Sequence, residues 1–470
     1  MVGSAPPAAG AQRADRAPRA EDPLRTLGLP ELVASGVAFI APAFSLAAVF
    51  VFLALTGGRY APEGVALGTL AALLAASSFI AMSRRHPKAG GAYAFVGAEF
   101  PSPVAFVAGW GLSLLYLVGP AIPLFLVVEG VIAFDPALAG WALPLVLAVV
   151  AVVFTVNAVG LRPSTRLALL VFLVEAGVLL AIAVALFLHP PVAPPAAAAA
   201  PSGILLALGG SGALAVFLFL GFDAVSTYAE EAHVPRRDIG RGTLIAILVA
   251  GVVYVTSAFA YLRAISWTDP TATLPGSVGF ALGAWGAEAM GLVIIVSSFG
   301  ALIAVENACA RVFFAMGRDG LLPRSVARLY GPARVPWVPL ALSAGTTGVL
   351  AAGAIVPFLS FPSDFMTVLL PALVVVGALM AYILVALSWA RSLWRERAGN
   401  PRWLAALLLA LGSAGLSVSL LVIQPYSWGP AAGPIAEIAA LWFVVGAGLW
   451  WAGRSMRERV AEPATEVAGA

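Results

Sequence analysis

Twelve apolar runs, each long enough to cross a lipid bilayer, recur along the chain with only short polar breaks between them. They fall near residues 31–57, 63–84, 101–131, 141–159, 166–188, 203–229, 241–263, 279–310, 336–357, 363–389, 402–424 and 434–453. Of the 470 residues 61% are hydrophobic and 10% are charged, against roughly a quarter charged in soluble domains. Lipid is therefore the implied solvent. Helices satisfy their own backbone there, so the predicted fold class is an all-α integral membrane protein with twelve transmembrane helices.

Positive charge sets the expected orientation, because Lys- and Arg-rich loops stay in the cytoplasm. With the N-terminus inside, 24 of the 26 Lys and Arg residues face inward, leaving Arg59 and Arg263 outside. One span more or fewer would reverse every later loop, so the agreement of both halves supports twelve spans with both termini cytoplasmic, in a cytoplasmic (inner) membrane. Residues 1–28 and 456–470 read as cytoplasmic tails, the first Ala-, Pro- and Arg-rich and disordered. A single cysteine, Cys309, excludes an intrachain disulfide and reads as core filler. His86, His189 and His233 are too scattered for a metal site, and the net charge of +3 follows from topology and gives no reason to invoke nucleic acid.

Helix breakers at membrane depth are tolerated where the freed backbone faces protein or a wet cavity. The first span carries Ser35-Gly36-Val37-Ala38-Phe39-Ile40-Ala41-Pro42, where Pro42 removes a donor and Gly36 permits an unwound turn. The sixth carries Gly209, Gly210 and Gly212, then Phe217-Leu218-Phe219-Leu220-Gly221-Phe222-Asp223. Interrupted helices meeting near the midplane are how secondary transporters bind small solutes. Close packing of small residues is the competing explanation of the glycines.

Three longer motifs point to a family. Pro87-Lys88-Ala89-Gly90-Gly91-Ala92-Tyr93 lies between spans two and three. Gly221-Phe222-Asp223-Ala224 runs on to Glu230-Glu231 and then Pro235-Arg236-Arg237-Asp238-Ile239. The eighth span ends in Arg318-Asp319-Gly320-Leu321-Leu322-Pro323. Together these resemble the amino acid-polyamine-organocation permease superfamily, especially its cationic-amino-acid-transporter-like bacterial members. The resemblance implies a LeuT-type fold, with five-helix inverted repeats at 29–190 and 201–390 and two further helices at 400–455. It also implies alternating access. By position, backbone donors among Ser35, Gly36, Val37, Ala38, Phe39, Ile40 and Ala41 would bind a substrate carboxylate, and carbonyls of Phe217, Leu218, Phe219 and Leu220 an ammonium, with Phe39, Phe222 and the region of Gly109, Trp110 and Gly111 shaping the pocket.

A carboxylate at the bilayer centre costs roughly 2.5–3.5 kcal/mol on insertion scales, so each needs a reason. Glu175 lies nine residues beyond Arg166, about 13.5 Å along a helix, and is expected to be the protonatable coupling residue; a fixed hydrogen bond to the broken helix is the alternative. Asp223 is expected to hold the end of a half-helix through freed amides, with contact to a substrate cation as the second reading. Glu230 and Glu231 are placed near the inner surface, where Arg311 or Arg318 would pair with them in a gate or loop anchor. Ser297 and Ser298 sit where sodium-coupled relatives place hydroxyl ligands, which keeps Na+ beside H+ as a coupling ion. No cofactor is implied.

No cluster offers a nucleophile with its base, metal ligands or a phosphate cradle, so an enzyme is not expected. The expected function is a permease that moves an amino acid as a proton symporter, its apolar pocket favouring a neutral or bulky apolar amino acid and its unplaced carboxylates leaving cationic ones open. An amine or polyamine carrier is the first alternative, and would need a protein carboxylate in place of the substrate's own. A non-transporting sensor on the same scaffold is the alternative from another class.

Overall fold

The computed structural model describes residues 24–189, 203–262, 273–355, 365–397, 402–428 and 431–461. The N-terminal tail as far as residue 23, the 190–202 link between the expected repeats, Arg263 and the last nine residues lie outside the described residues. Sixteen α-helices are described: α1 (Leu29–Ile40), α2 (Pro42–Gly57), α3 (Ala61–Arg85), α4 (Ala92–Glu99), α5 (Ser102–Ser113), α6 (Ala121–Phe134), α7 (Ala142–Val159), α8 (Leu161–Leu188), α9 (Ile204–Ala215), α10 (Pro235–Tyr261), α11 (Leu274–Leu282), α12 (Ala284–Arg318), α13 (Trp337–Ile355), α14 (Leu370–Arg395), α15 (Trp403–Trp428) and α16 (Ala432–Ala461). All but α4 and α11 belong to twelve spans long and apolar enough to cross a membrane. The first span is α1 with α2, the third α5 with α6, and the sixth α9 with the 3₁₀ turns Val216–Phe219 and Phe222–Tyr228.

Burial sorts the spans. The first, seventh, eighth and tenth are the most enclosed, and the fourth, eleventh and twelfth the least. All are apolar, so hydropathy alone does not tell protein-facing from lipid-facing surface, and the outward residues of α8, such as Leu170, Leu173 and Val184, are as apolar as its core. α1, α2, α10, α12 and α14 thus form the centre.

Several helices outrun their apolar stretches at the charged end. α8 begins at Leu161, α10 at Pro235, and α12 and α14 continue to Arg318 and Arg395. Hydropathy registers contact with lipid, whereas a helix continues wherever its backbone bonds do, and terminal arginines favour its C-terminal dipole. Residues 24–28 also depart from the expected tail. Thr26 and Leu27 donate N–H bonds to the Glu231 carbonyl, His233 donates to the Leu27 carbonyl, and Leu27 is buried among Leu32, Leu161, Val225 and Tyr228.

The loop Pro87–Tyr93 has a packing reason. Gly90 and Gly91 take φ of 105° and 52°, a left-handed region that favours glycine. A Cβ on Gly91 would come within 2.8 Å of Ser226 Oγ, so this turn lies directly on the sixth span.

Candidate functional site

The first span breaks at Ala41, which takes φ 47° and ψ 76° between α1 and α2. Pro42 is the cause: it has no N–H for the Ala38 carbonyl four residues before it. Gly36 does not unwind. It lies within α1, where a Cβ would meet Val225 and Ala246 at 2.7 and 2.8 Å, so its role is close approach of the sixth and seventh spans. Ser35 likewise sits in helix, donating its hydroxyl to the Glu31 carbonyl at 2.8 Å, and the Ala41 N–H donates to Val37. The expectation that donors from Gly36 to Ala41 stand free is therefore corrected: the freed donors are Ala43 and Phe44. Ala43 N–H donates to Glu175 Oε1 at 2.5 Å, and Phe44 N–H to Ser297 Oγ at 3.1 Å.

The sixth span breaks at Leu220 and Gly221, where Leu220 is extended and Gly221 takes φ 98°. Gly209, Gly210 and Gly212, grouped with this break in the sequence, stay in α9. The facing glycines of α3 explain the close packing: a Cβ on Gly64 or Gly68 would lie 2.0 Å from Ser211 Oγ or 2.4 Å from Ala215 Cβ.

The two breaks face one another. A Cβ on Gly221 would fall 1.8 Å from Phe39 Cδ1. Tyr254 of α10 ties them, its hydroxyl 2.7 Å from the Leu218 carbonyl and 3.3 Å from the Ile40 carbonyl. Ile40 also accepts from Ser45 Oγ at 2.7 Å. Phe219 packs edge-on against the Tyr254 ring, 5.1 Å between centroids.

Asp223 follows the second break and is 1% exposed. Tyr116 and Tyr382 donate their hydroxyls to its two carboxylate oxygens, Tyr382 at 2.6 Å. Tyr382 in turn accepts the Gly221 N–H at 3.4 Å, so a phenol ties Asp223 to the break, beside the bond its carboxylate takes from its own amide. Aromatic rings surround this group. Phe79 and Phe222 lie 5.2 and 4.9 Å from Tyr382, and Phe39 lies 5.5 Å from Tyr116.

Glu175, 1% exposed, accepts from Ser297 Oγ at 2.7 Å as well as from Ala43 N–H. It caps α2, whose positive end favours an anion. The Ser298 hydroxyl is buried with no hydrogen-bond partner among the described residues.

Towards the charged end, both expected pairings occur. Arg311 Nε donates to Glu231 Oε1 at 3.0 Å, and Arg318 Nη1 to Glu230 Oε2 at 2.6 Å. Arg311 also donates to Asn307, which reaches Asn157 and Ser164. A cavity of about 130 Å³ opens beside this pair, lined in part by Thr26, Arg162, Glu231, Arg311 and Arg334. Burial pushes the Glu231 carboxyl above the ordinary range, with the Arg311 guanidinium opposing.

Sequence reasoning missed Tyr116, Tyr254, Tyr382 and Phe79. A phenol inside an apolar span needs a partner, which is the signal that marks the tyrosines. It also placed Trp110 at the pocket, whereas Trp110 stacks on Trp442 of α16 at 4.9 Å.

The sequence profile described as amino acid permease matches residues 29–450. The chain is 26% identical over 388 residues to the low-affinity putrescine importer PlaP of Escherichia coli (strain K12), covering 79% of this chain and 82% of the importer. It is 28% identical over 362 residues to the branched-chain amino acid permease BcaP of Bacillus subtilis (strain 168), covering 71% and 74%. With cationic amino acid transporter 2, vacuolar, of Arabidopsis thaliana it shares 29% over 390 residues, covering 77% and 59%.

Proposed function

Because the chain belongs to the amino acid permease family, we propose that it is a secondary transporter carrying an amino acid or small amine across the cytoplasmic membrane by alternating access. The observation that carries this reading is the meeting of two interrupted spans, with Phe39 over Gly221 and Tyr254 holding both. Opposed breaks free backbone carbonyls from the helical ladder, and a small solute is what such groups bind. The equivalent positions of the first and sixth spans support two five-helix repeats of inverted topology, followed by α15 and α16. The distribution of Lys and Arg supports cytoplasmic termini.

Glu175 is the proposed proton-coupling residue. Its carboxylate holds the start of α2, so gain of a proton weakens a charge-assisted bond at the moving break. Sodium is the second reading, supported by the unpartnered Ser298 hydroxyl; Ser297 is already committed to Glu175 and Phe44.

Reconstitution in proteoliposomes, with pH and sodium gradients imposed separately, tests both. Uptake of an amino acid or amine driven by the pH gradient is expected, and Glu175→Gln should abolish that dependence. Coupling to protons that persists unchanged in Glu175→Gln would refute the assignment. Substrate binding without flux would identify a sensor.

A further inference from the structure

The hydrogen-bond inventory of the two breaks is lopsided. Every N–H from Ala41 to Ser45 is already used: Ala41 donates to Val37, Ala43 to Glu175, Phe44 to Ser297 and Ser45 to Ala41, while Pro42 has none. In the sixth span Leu220 donates to Phe217, Gly221 to Tyr382 and Ala224 to Gly221. The remaining amides of that turn, Phe222 and Asp223, adjoin the Asp223 carboxylate, which repels a second anion. Nothing here is poised to receive a substrate carboxylate.

Acceptors are abundant. The Ala38 carbonyl faces a proline in the ladder, and the Ala43 N–H that would reach the Phe39 carbonyl is turned to Glu175. Asp223 takes part in none of the ion pairs among the described residues. It is held by two phenols, against which the rings of Phe39, Phe79 and Phe222 pack. A buried carboxylate is either neutralised by a proton or paired with a cation, and aromatic faces attract a cation.

Building on the transport reading, we infer that this site takes a small organic ammonium lacking a carboxylate, and that Asp223 pairs with it. Entry requires Phe39 to leave Gly221, since the cage is buried on all sides. Glu175 occupies the donors at the α2 terminus, just beyond the Ser35–Ala41 stretch where the resemblance would seat a substrate's carboxylate. The protein thus supplies both anions itself.

Pairs of ligands that differ by one carboxylate test this on the full-length protein in lipid nanodiscs. Ornithine is compared with 1,4-diaminobutane, lysine with 1,5-diaminopentane and leucine with 3-methylbutylamine, by thermal shift and then by flux in proteoliposomes. The amine of at least one pair is expected to bind on the order of tenfold or more tightly than its amino acid. Asp223→Asn is expected to weaken that amine on the order of 30-fold or more, as loss of one partner from a buried charge pair does. Should Asp223→Asn fail to fold, the pairwise comparison on the unaltered chain decides the question alone. Tighter binding of the amino acid in every pair overturns the inference; if that amino acid is also moved, the transport reading stands without it. Amine binding without flux supports the inference and overturns transport, and no binding by any of the six overturns the inference.

Discussion

Gly221 has two independent reasons to be glycine. Its φ of 98° costs an L-residue about 1–2 kcal/mol, and any Cβ would overlap the Phe39 ring. Gly209, by contrast, lies in α9 with nothing within 4 Å of its missing Cβ. Gly221→Ala is therefore expected to lower the thermal midpoint and reduce uptake by about tenfold or more, whereas Gly209→Ala is neutral or stabilising by up to about 1 kcal/mol. Equal effects of the two substitutions would show that the break at Gly221 is not the strained one. Sequence gave both positions the same weight because glycine for packing and glycine for φ carry the same letter. Pro42 was legible: its missing N–H is a property of the residue, so the break could be located to within a turn before any neighbour was known.

At the level of elements, the spans were legible because apolar length is written locally, and the breaks because proline and glycine are. What holds the breaks together was not, since Tyr254 and Tyr382 act across more than one hundred residues of chain from Ile40 and Asp223 respectively. The segment Leu114–Val118 shows the same limit. It forms a π turn closed by Gly119 N–H to Leu114, with Pro120 following, and this turn carries Tyr116 to Asp223. Pro120 is a visible mark, but its consequence depends on a partner in another span. Tyr254→Phe removes the one hydroxyl shared by α1 and the sixth span. A loss of about 1–3 kcal/mol is expected from losing the bond to the Leu218 carbonyl, Ile40 keeping its bond from Ser45, with faster amide exchange in 39–45 and 217–223. Tyr261→Phe, whose hydroxyl reaches the Leu179 carbonyl at 3.4 Å and Ser257 but neither break, should leave exchange in those two segments unchanged.

Across the whole molecule, polar contacts between the two halves occur at the breaks, as between Tyr116 and Asp223, and again at the arginine-rich end. Arg85 pairs with Glu396, Arg395 with Glu99, Tyr93 with Asp319 and the Ala89 N–H with Glu230. The composition of that end was legible as charge bias, but which charge meets which was not, because pairing depends on how spans far apart in sequence are stacked. Two neighbouring pairs separate exposed from buried electrostatics. Arg311 and Glu231 have side chains only 5% and 8% exposed, whereas Arg318 and Glu230 are 37% and 21% exposed. Truncating Arg311 strands a buried carboxylate, so Arg311→Ala is expected to cost about 3–5 kcal/mol. Arg318→Ala is expected to cost about 0–1 kcal/mol and to matter less as salt rises. Pairing Arg311→Met with Glu231→Gln removes both charges and should recover most of the loss, because the penalty arises from the unpaired ion. Thermal unfolding of the three variants in one lipid, at low and high salt, measures all of this. If Arg311→Ala costs no more than Arg318→Ala, the buried pair beside the 130 Å³ cavity stabilises the fold no more than its exposed neighbour, and the contacts between the halves carry that end of the molecule instead.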